Sequence, residues 1–260
     1  MVHAIPKSGI ARTYLIEEDE GLMAVDVGSI GAARDIETYC TGIVKRPLQD
    51  IRFIFATHFH IDHIGGIGSL LQRCSPETQV LFHLRAKGYI EGQEGLAPMQ
   101  NWLDGLVPTI RENYCRIGDL SHIAFESLTG VPLPIFSNNR RVPYADRVSY
   151  IDTQGVLLRR IGFSDWQAVA TPGHTPDSVS LYNEKAQELI SGDLILGRHD
   201  GMGYLNRFCW DEVLARDYFA VLNNGLRVRA IYPGHGEVIR DNENAFAKVA
   251  SFPEKGGQKA

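Results

Sequence analysis

The chain has 260 residues, a net charge of −5 and 44% hydrophobic residues, which suits one large domain with a sizeable core. Its 26 lysines and arginines are spread along the sequence rather than gathered into a basic stripe, so a nucleic-acid surface is disfavoured. The N-terminus lacks a basic region followed by an apolar one, and no stretch approaches 18 uncharged apolar residues. We therefore expect neither export nor a membrane partner.

The four cysteines are far apart and include no C-x-x-C pair. This spacing favours neither a disulfide framework nor a cysteine zinc site. Solitary thiols suit a reducing compartment, so we expect a cytoplasmic protein. These residues are Cys40, Cys74, Cys115 and Cys209.

The N-terminal third predicts a β-hairpin followed by alternating helices and strands. The hairpin strands are RTYLIE and LMAVDV, joined by an acidic turn with Gly21. A helix is predicted from Gly31 to Val44, and the apolar run DIRFIFAT predicts a buried strand that leads into THFHIDHIGG. A short helix at Ile67 to Cys74 and a strand, TQVLFHL, follow.

This alternation is lost between about residues 85 and 147, a segment that contains five prolines and one predicted amphipathic helix around Met99 to Tyr114. We interpret it as an insertion within a single domain spanning residues 1–260. A cap that forms an apolar substrate pocket and a homodimer surface both fit its composition. Its bulky residues include Tyr89, Met99, Trp102, Leu103, Tyr114, Phe125 and Phe136.

The C-terminal part predicts strands again, including a hairpin that turns at Asn183 to Ala186. A helix follows, for which Gly225 is the expected C-cap, and the strand RVRAIY is expected to end at PGHG. We expect His3, His83 and His122 to be structural, because no motif surrounds them.

The stretch THFHIDHIGG gathers His58, His60, Asp62 and His63 within six residues. If the strand geometry persists, His58 and His60 point to the same side of the backbone. Asp62 and His63 come where the chain turns, so they can be aimed at a second, adjacent point. Burying such groups together without a cation would be unfavourable, which indicates a metal site.

Three further polar residues come after predicted strands and beside small-residue turns: His174 in PGHT, Asp193 in SGD and His235 in PGHG. A single histidine in such a turn is more often a surface residue, but together these residues bring the candidate ligands to seven. Imidazoles with carboxylates suit zinc, iron or manganese, and seven ligands are too many for one tetrahedral zinc. Two divalent ions, most simply zinc, therefore fit the count, with Asp193 as the candidate bridge.

In this order, THFHIDHIGG, PGHT, GD and PGHG resemble the metallo-β-lactamase superfamily, as does VDVG at residues 25–28. The resemblance implies an α/β (α+β) fold, a four-layer αββα sandwich of two mixed sheets with helices outside. It also implies that His58, His60 and His174 hold one metal, that Asp62, His63 and His235 hold the second, and that Asp193 bridges them. Asp26 would steady the histidine loop.

The expected activity is a metal-dependent hydrolase in which a metal-bridging hydroxide cleaves an ester, thioester or lactone of a small molecule. Asp62 and Asp193 are the predicted catalytic residues. His199 and Tyr204, in the following glycine-rich loop, are predicted substrate contacts.

Three related activities are weighed against this one. A mononuclear iron enzyme similar to sulfur dioxygenases would use the His58, His60 or His174 and Asp193 ligands. A phosphodiesterase of the same superfamily is disfavoured by the acidic charge. A glyoxalase II with its helical C-terminal domain is disfavoured because 25 residues follow His235.

Overall fold

The computed structural model describes residues 1–102, 107, 110, 114–132, 140–153 and 157–251. Within these ranges two β-sheets pack face to face and helices cover their outer faces. The predicted helix around Met99 to Tyr114 lies largely outside the described residues. No helix in the described ranges combines the length and the apolar character that a membrane crossing requires.

The first sheet contains six strands within the described residues, and their order in the sheet follows their order in the chain. The first three pair antiparallel, whereas the third to sixth are parallel to one another. The carboxyl ends of these parallel strands therefore lie at one edge of the sheet. The strands are β1 (Val2–Ala4), β2 (Tyr14–Glu18), β3 (Gly21–Val25), β4 (Ile51–Phe55), β5 (Gln79–His83) and β6 (Val148–Ile151).

The second sheet includes β7 (Arg159–Arg160), β8 (Trp166–Ala170), β9 (Val179–Asn183), β10 (Glu188–Gly197), β11 (Gly203–Leu205), β12 (Ala230–His235), β13 (Ile239–Arg240) and β14 (Val249–Ala250). In the described residues its main order is β13-β12-β10-β9-β8-β7, with β11 against β10 and β14 against β11. β9 is antiparallel to β8 and β10, and β12 is parallel to β10. Consequently β8, β10 and β12 point toward the same edge.

The α-helices with defined bounds in the described residues are α1 (Ile30–Tyr39), α2 (Ile61–Ile64), α3 (Ile67–Leu71), α4 (Lys87–Ile90) and α5 (Glu212–Gly225). One apolar cluster joins α1 and α3 to the outer face of the first sheet, and another joins α5 to the outer face of the second. A third cluster fills the space between the sheets. The predicted four-layer αββα sandwich is confirmed.

The core follows the alternation of side chains along the strands. In β2, Leu15 faces the helices of the first layer, whereas Tyr14 and Ile16 enter the space between the sheets. Trp166 and Tyr232 meet them from the second sheet. Burial on both faces explains why the parallel strands have nearly continuous apolar sequences.

Most predicted elements are present, with three corrections to their ends. The first predicted helix is α-helical only to Tyr39 and continues as a π-helix from Cys40 to Val44. β12 continues through PGH instead of ending before it, because its ladder with β10 shifts register and places Pro233 opposite Gly192. Gly225 is the last helical residue rather than the cap, and Leu226 leaves the helix in an extended conformation.

The N-terminal segment is tied to the last long strand by two hydrogen bonds. The hydroxyl of Tyr14 donates to the carbonyl of Pro233 at 2.6 Å. The backbone N–H of Arg12 donates to the carbonyl of Gly234 at 2.7 Å. These bonds join the two sheets at the edge where the histidine motifs lie.

Candidate metal centre

The histidine-rich stretch begins after β4 has ended at Phe55, so strand geometry, the condition under which His58 and His60 would point to the same side, does not extend to them. The two imidazoles nevertheless converge, with Nε2 of His58 3.1 Å from Nδ1 of His60. The loop directs Nε2 of His58 but Nδ1 of His60 toward the centre, a difference that a regular strand would not require. Asp62 and His63 follow on the short helix α2.

Asp193 lies in the middle of β10 rather than at a strand end. The position of the Asp193 carboxylate, close to β12, depends on two glycines. Gly192 has a φ of +50°, a left-handed conformation that accompanies the register shift between β10 and β12. A Cβ on Gly234 would lie 2.0 Å from Oδ1 of Asp193, so only glycine lets β12 pass this close to the carboxylate.

One side of the centre consists of imidazoles from two loops, and we call His58, His60 and His174 the histidine half. Nε2 of His174 lies 3.1 Å from Nδ1 of His60. The ring Nδ1 of His174 donates to the carbonyl of Phe208 at 2.6 Å, which fixes the ring and directs Nε2 inward. All three side chains are buried.

The other side, which we call the carboxylate half, consists of Asp62, His63 and His235. Nε2 of His235 lies 3.5 Å from Oδ2 of Asp62, and Nε2 of His63 lies 3.9 Å from the same oxygen. The Nδ1 of His235 donates to the carbonyl of Ile10 at 2.9 Å, again directing Nε2 into the centre. Asp62 retains 20% side-chain exposure, the most open position among the candidate ligands.

Asp193 connects the two halves. Its Oδ1 lies 3.3 Å from Nε2 of His63, while its Oδ2 lies 3.1 Å from Nε2 of His235 and 3.4 Å from Nε2 of His174. The structure therefore brings together all seven residues predicted as ligands, from segments up to 177 residues apart (235 − 58).

Asp26 lies behind the carboxylate half and organises the loop from there. Its carboxylate accepts the backbone N–H and the hydroxyl of Thr57, both at 2.8 Å, and accepts the Nδ1–H of His63 at 2.8 Å. Because the Thr57 hydroxyl donates to Asp26, it is free to accept the Nδ1–H of His58 at 3.1 Å. The same network thus directs Nε2 of His63 and of His58 inward.

Burial and the neighbouring charges move the pKa values of the two halves in opposite directions. Burial, reinforced by neighbouring histidines, lowers the pKa of His58 and His60 well below the ordinary histidine value. Burial acts in the same direction on His63, but the carboxylates of Asp193, Asp26 and Asp62 raise its pKa well above that value. Burial acts to raise the pKa of Asp193, yet His235, His63 and His174 hold it well below the usual range.

These contacts fit a bound cation. Four imidazoles donate their Nδ1–H outward, so four Nε2 lone pairs meet two carboxylates in a buried space. Nε2 of His63 and Oδ1 of Asp193 are buried and lack a hydrogen-bond partner among the described residues. Three groups of converging ligand atoms result: His58, His60 and His174; His58, His63 and Asp193; and Asp62, His63 and His235. Nitrogen and carboxylate donors of this kind suit zinc, iron or manganese.

The two predicted substrate contacts lie beside β10 and belong to none of these groups of converging ligand atoms. His199 follows β10 in an exposed turn, with Nδ1 3.9 Å from Oε1 of Glu237. Tyr204 is half-buried in β11 and pairs with Leu196. Their roles as substrate contacts stay predictions.

Asp177 is a buried residue of the centre that the sequence patterns did not reveal. Its Oδ2 accepts the backbone N–H of Phe59, the residue between His58 and His60, at 2.9 Å. Burial raises its pKa to about 6. Its position three residues after His174 in HTPD is the available sequence signal, and by itself that signal is weak.

An αββα sandwich with buried imidazoles and carboxylates converging at one edge defines a metalloprotein. The sequence also matches the metallo-beta-lactamase superfamily over residues 8–254. The chain therefore belongs to this superfamily, as its motifs predicted.

Individual relatives are distant. Over 191 residues the chain is 26% identical to the probable metallo-hydrolase YflN of Bacillus subtilis, which covers 72% of this chain and 61% of YflN. The chain thus spans less than two thirds of that relative.

Solved structures share the fold. The B3 metallo-beta-lactamase BLEG-1 superposes with a TM-score of 0.56 and 21% identity, covering 92% of this chain and 94% of that one. TTHA1623 in a di-iron-bound form superposes with a TM-score of 0.54 and 20% identity, covering 88% and 89% of the two chains.

Proposed function

We propose that the protein is a metallohydrolase that uses two divalent metal ions to cleave an ester, thioester or lactone bond of a small molecule. The observation that carries this proposal is the position of Asp193. Its two oxygens face different histidines, with Oδ1 toward His63 and Oδ2 toward His235 and His174. A carboxylate shared in this way is suited to bridging a pair of ions.

In this proposal the histidine half holds one ion and the carboxylate half holds the other, with Asp193 shared between them. The grouping of ligand atoms supports this division, since His58, His60 and His174 form one group and Asp62, His63 and His235 another. Zinc is the favoured metal, and iron and manganese use the same donors. The name of YflN, a probable metallo-hydrolase, supports the reaction class.

When bound, the two ions would make water acidic enough to supply a nucleophile near neutral pH and would polarise the substrate carbonyl. The residues of the chain position the reacting groups around them. Asp62 has 20% side-chain exposure, whereas His63 beside it is fully buried. Its open carboxylate would accept a proton from the attacking water and return it to the leaving group.

The test combines metal analysis with a substrate screen. Elemental analysis of the purified protein is expected to give two ions per chain. The metal-loaded protein is then assayed with thioesters, lactones, aryl esters, a β-lactam and bis-p-nitrophenyl phosphate, and we expect turnover of one or more of the first three. Asp193→Ala is expected to lower kcat/KM by roughly a thousandfold and to deplete bound metal.

Asp19→Ala is the matched control, because Asp19 is an exposed aspartate in the turn between β2 and β3. It is expected to retain metal and activity. Full metal content and turnover in the Asp193→Ala variant would contradict the proposal. One iron per chain, with oxidation of a persulfide and no hydrolysis, would support the sulfur-dioxygenase-like alternative.

A further inference from the structure

A cavity of about 710 Å³ lies at the edge of the sandwich that carries the metal centre. Its lining includes His83 at the end of β5, Thr153 just after β6, and Ala170 at the end of β8. These strand ends share the edge with β4, which delivers the histidine motif. The volume falls within the range of about 300 to 1,000 Å³ that is typical of small-molecule sites.

The cavity also adjoins the loop that carries His174. Pro172 and Pro176 line it, and each lies two residues from His174. Tyr89 lines it as well, and its ring centroid lies 5.9 Å from that of Phe59, the residue between His58 and His60. The loop with His174 therefore forms part of the cavity wall, and the loop with His58 and His60 packs against that wall through Phe59.

Three large aromatic side chains contribute to the walls. Tyr89 projects from α4, Trp210 precedes α5, and Tyr218 lies on α5 with Leu214 one turn before it. Rings from separate elements that face one space favour a planar apolar group between them. The lining thus suits an aromatic ring better than a long flexible chain.

One residue of the lining carries a buried polar group that lacks a partner. The hydroxyl of Thr153 is buried, with the residue only 6% exposed, and it forms no hydrogen bond among the described residues. His83 is already satisfied, because its Nε2–H donates to the carbonyl of Thr153 at 3.3 Å and its Nδ1 accepts the N–H of Arg85 at 3.3 Å. A buried hydroxyl without a partner is unfavourable, so a ligand atom that bonds to it would be favoured there.

The charged residues of the lining do not favour a charged ligand. Arg85 and Asp152 both line the cavity, and both are exposed. Their opposite charges leave the lining without a net charge, and the buried interior offers no ionised group to pair with a charged ligand. The cavity is therefore matched to an uncharged group.

We propose that this cavity binds an uncharged aromatic acyl group of the substrate, with its ring between Tyr89, Trp210 and Tyr218 and one polar substituent hydrogen-bonded to Thr153. This inference rests on the proposed hydrolytic function and assigns its substrate class. An arylacetyl thioester or ester carrying a ring hydroxyl has the required features.

Binding is tested without turnover, by calorimetry with 4-hydroxyphenylacetamide and phenylacetamide. We expect wild-type protein to bind the hydroxylated amide about tenfold more tightly, the usual gain from one hydrogen bond. Thr153→Val has the same shape and loses only an unpartnered hydroxyl, so its melting temperature should not fall. It is expected to bind both amides equally, and a retained tenfold preference would overturn the role of Thr153.

Leu214→Trp fills the cavity from a half-exposed helix position, and Val213→Trp is its control because Val213 is 63% exposed and lies outside the lining. We expect Leu214→Trp to weaken binding of both amides at least about tenfold, and Val213→Trp to leave it unchanged. Equal binding by both variants would overturn the inference.

Turnover gives an independent measurement with the 4-hydroxyphenylacetyl and acetyl thioesters of N-acetylcysteamine. In wild-type protein kcat/KM should favour the aromatic thioester, and Leu214→Trp should reduce this preference at least about tenfold. If neither thioester is hydrolysed while the amides bind as expected, the proposed reaction fails but the binding site stands. If both are hydrolysed without preference and the amides do not bind, the site fails while the reaction stands.

Discussion

Each half of the metal centre brings three candidate ligands together, but the pKa values of the histidines are shifted in opposite directions in the two halves. In the histidine half, burial lowers the pKa of His58, His60 and His174, so their imidazoles are neutral donors before any ion arrives. In the carboxylate half, burial is outweighed by nearby aspartates, and the pKa of His63 and His235 is raised. The carboxylate half thus favours a positive charge, which a metal ion can supply, whereas the histidine half offers neutral donors.

Asp26 and Asp177, which lie behind the two halves, also differ in the groups that they bind. Asp26 accepts a hydrogen bond from the ring of His63 and so acts on a ligand directly. Asp177 instead accepts the backbone N–H of Phe59, and its Oδ1 has no partner among the described residues. Asp26 bonds to a candidate metal ligand and so raises the pKa of that histidine, whereas Asp177 bonds to the backbone and holds a loop in place.

The largest effect is expected from Gly234→Ala, which disturbs the residue shared by the two halves. The added Cβ would lie 2.0 Å from Oδ1 of Asp193, so the carboxylate must move and its contacts to both halves are lost. We expect kcat/KM to fall by about a hundredfold to a thousandfold with loss of bound metal, comparable to removing an electrostatic catalytic group. Elemental analysis and assays with a responsive substrate check this.

Gly225→Ala provides the control for the previous substitution. Gly225 ends α5, and a Cβ there meets nothing within 4 Å. Alanine is the better helix former, so stability should be unchanged or slightly higher and activity unaffected. If both glycine variants behaved alike, the close approach at Gly234 would have no functional consequence.

Acidification is expected to separate the halves by their metal affinity. Ligands must be deprotonated to bind metal, and the raised pKa of His63 and His235 makes the ion compete with protons near neutral pH. The affinity of the carboxylate half should fall about tenfold per pH unit for each proton displaced, as the pH falls below the raised pKa of these histidines. The histidine half, whose pKa values are lowered, should hold its ion down to lower pH.

A chromogenic chelator measures this release across the pH range. Two steps are expected, with the first ion leaving at higher pH. Simultaneous loss of both ions with a single slope would contradict the proposed division of the centre.

Asp26→Asn is expected to weaken the carboxylate half more than the histidine half, because Asp26 bonds to His63 directly and reaches His58 only through Thr57. Asparagine tolerates the φ of +55° at this position, so the backbone turn should survive. The neutral amide is a weaker acceptor for the Nδ1–H of His63, and substitutions of this type typically cost 10-fold to 100-fold in metal affinity. Titration of the metal-free protein should show one site weakened more than the other, and equal weakening of both would indicate a general disturbance.

Asp177→Asn is expected to have the smallest effect, and it acts on stability. Burial raises the pKa of Asp177 to about 6 from an ordinary value of 3.8. The protonated carboxyl is therefore favoured in the folded state, and its contribution to stability is lost as pH rises through about 6. Asparagine can still accept the Phe59 N–H and does not ionise.

Metal-free Asp177→Asn should accordingly gain on the order of 1 kcal/mol in free energy of unfolding relative to wild type between pH 5 and pH 8. Urea titrations at the two pH values give this difference. A constant difference between the proteins would show that Asp177 keeps the same charge across the range.

The ligands of the centre could be predicted from sequence because they occur in short motifs. H-x-H-x-D-H places four polar groups within six residues, and this density by itself indicates a cation. The order of strands and helices also predicted the αββα sandwich, because the apolar runs have the lengths and the spacing of buried strands.

The contacts that support the ligands could not be predicted, because they are set by packing of the two sheets. Gly234 and Asp193 are 41 residues apart (234 − 193), and Asp177 and Phe59 are 118 apart. Local periodicity carries no information about which strands become neighbours. The same limit explains why the strand through Pro233 was expected to stop early, since only its partner β10 shows that pairing resumes at His235.

The hydrogen bonds between residues 10–14 and residues 233–235 join parts of the sequence that are more than 200 positions apart. During synthesis the chain therefore contains the His58 motif long before it contains His235, the last of the candidate ligands. The full set of seven candidate ligands exists only once residues 233–235 have been added and have paired with residues 10–14. We therefore expect metal binding at the carboxylate half, which needs His235, to follow this pairing.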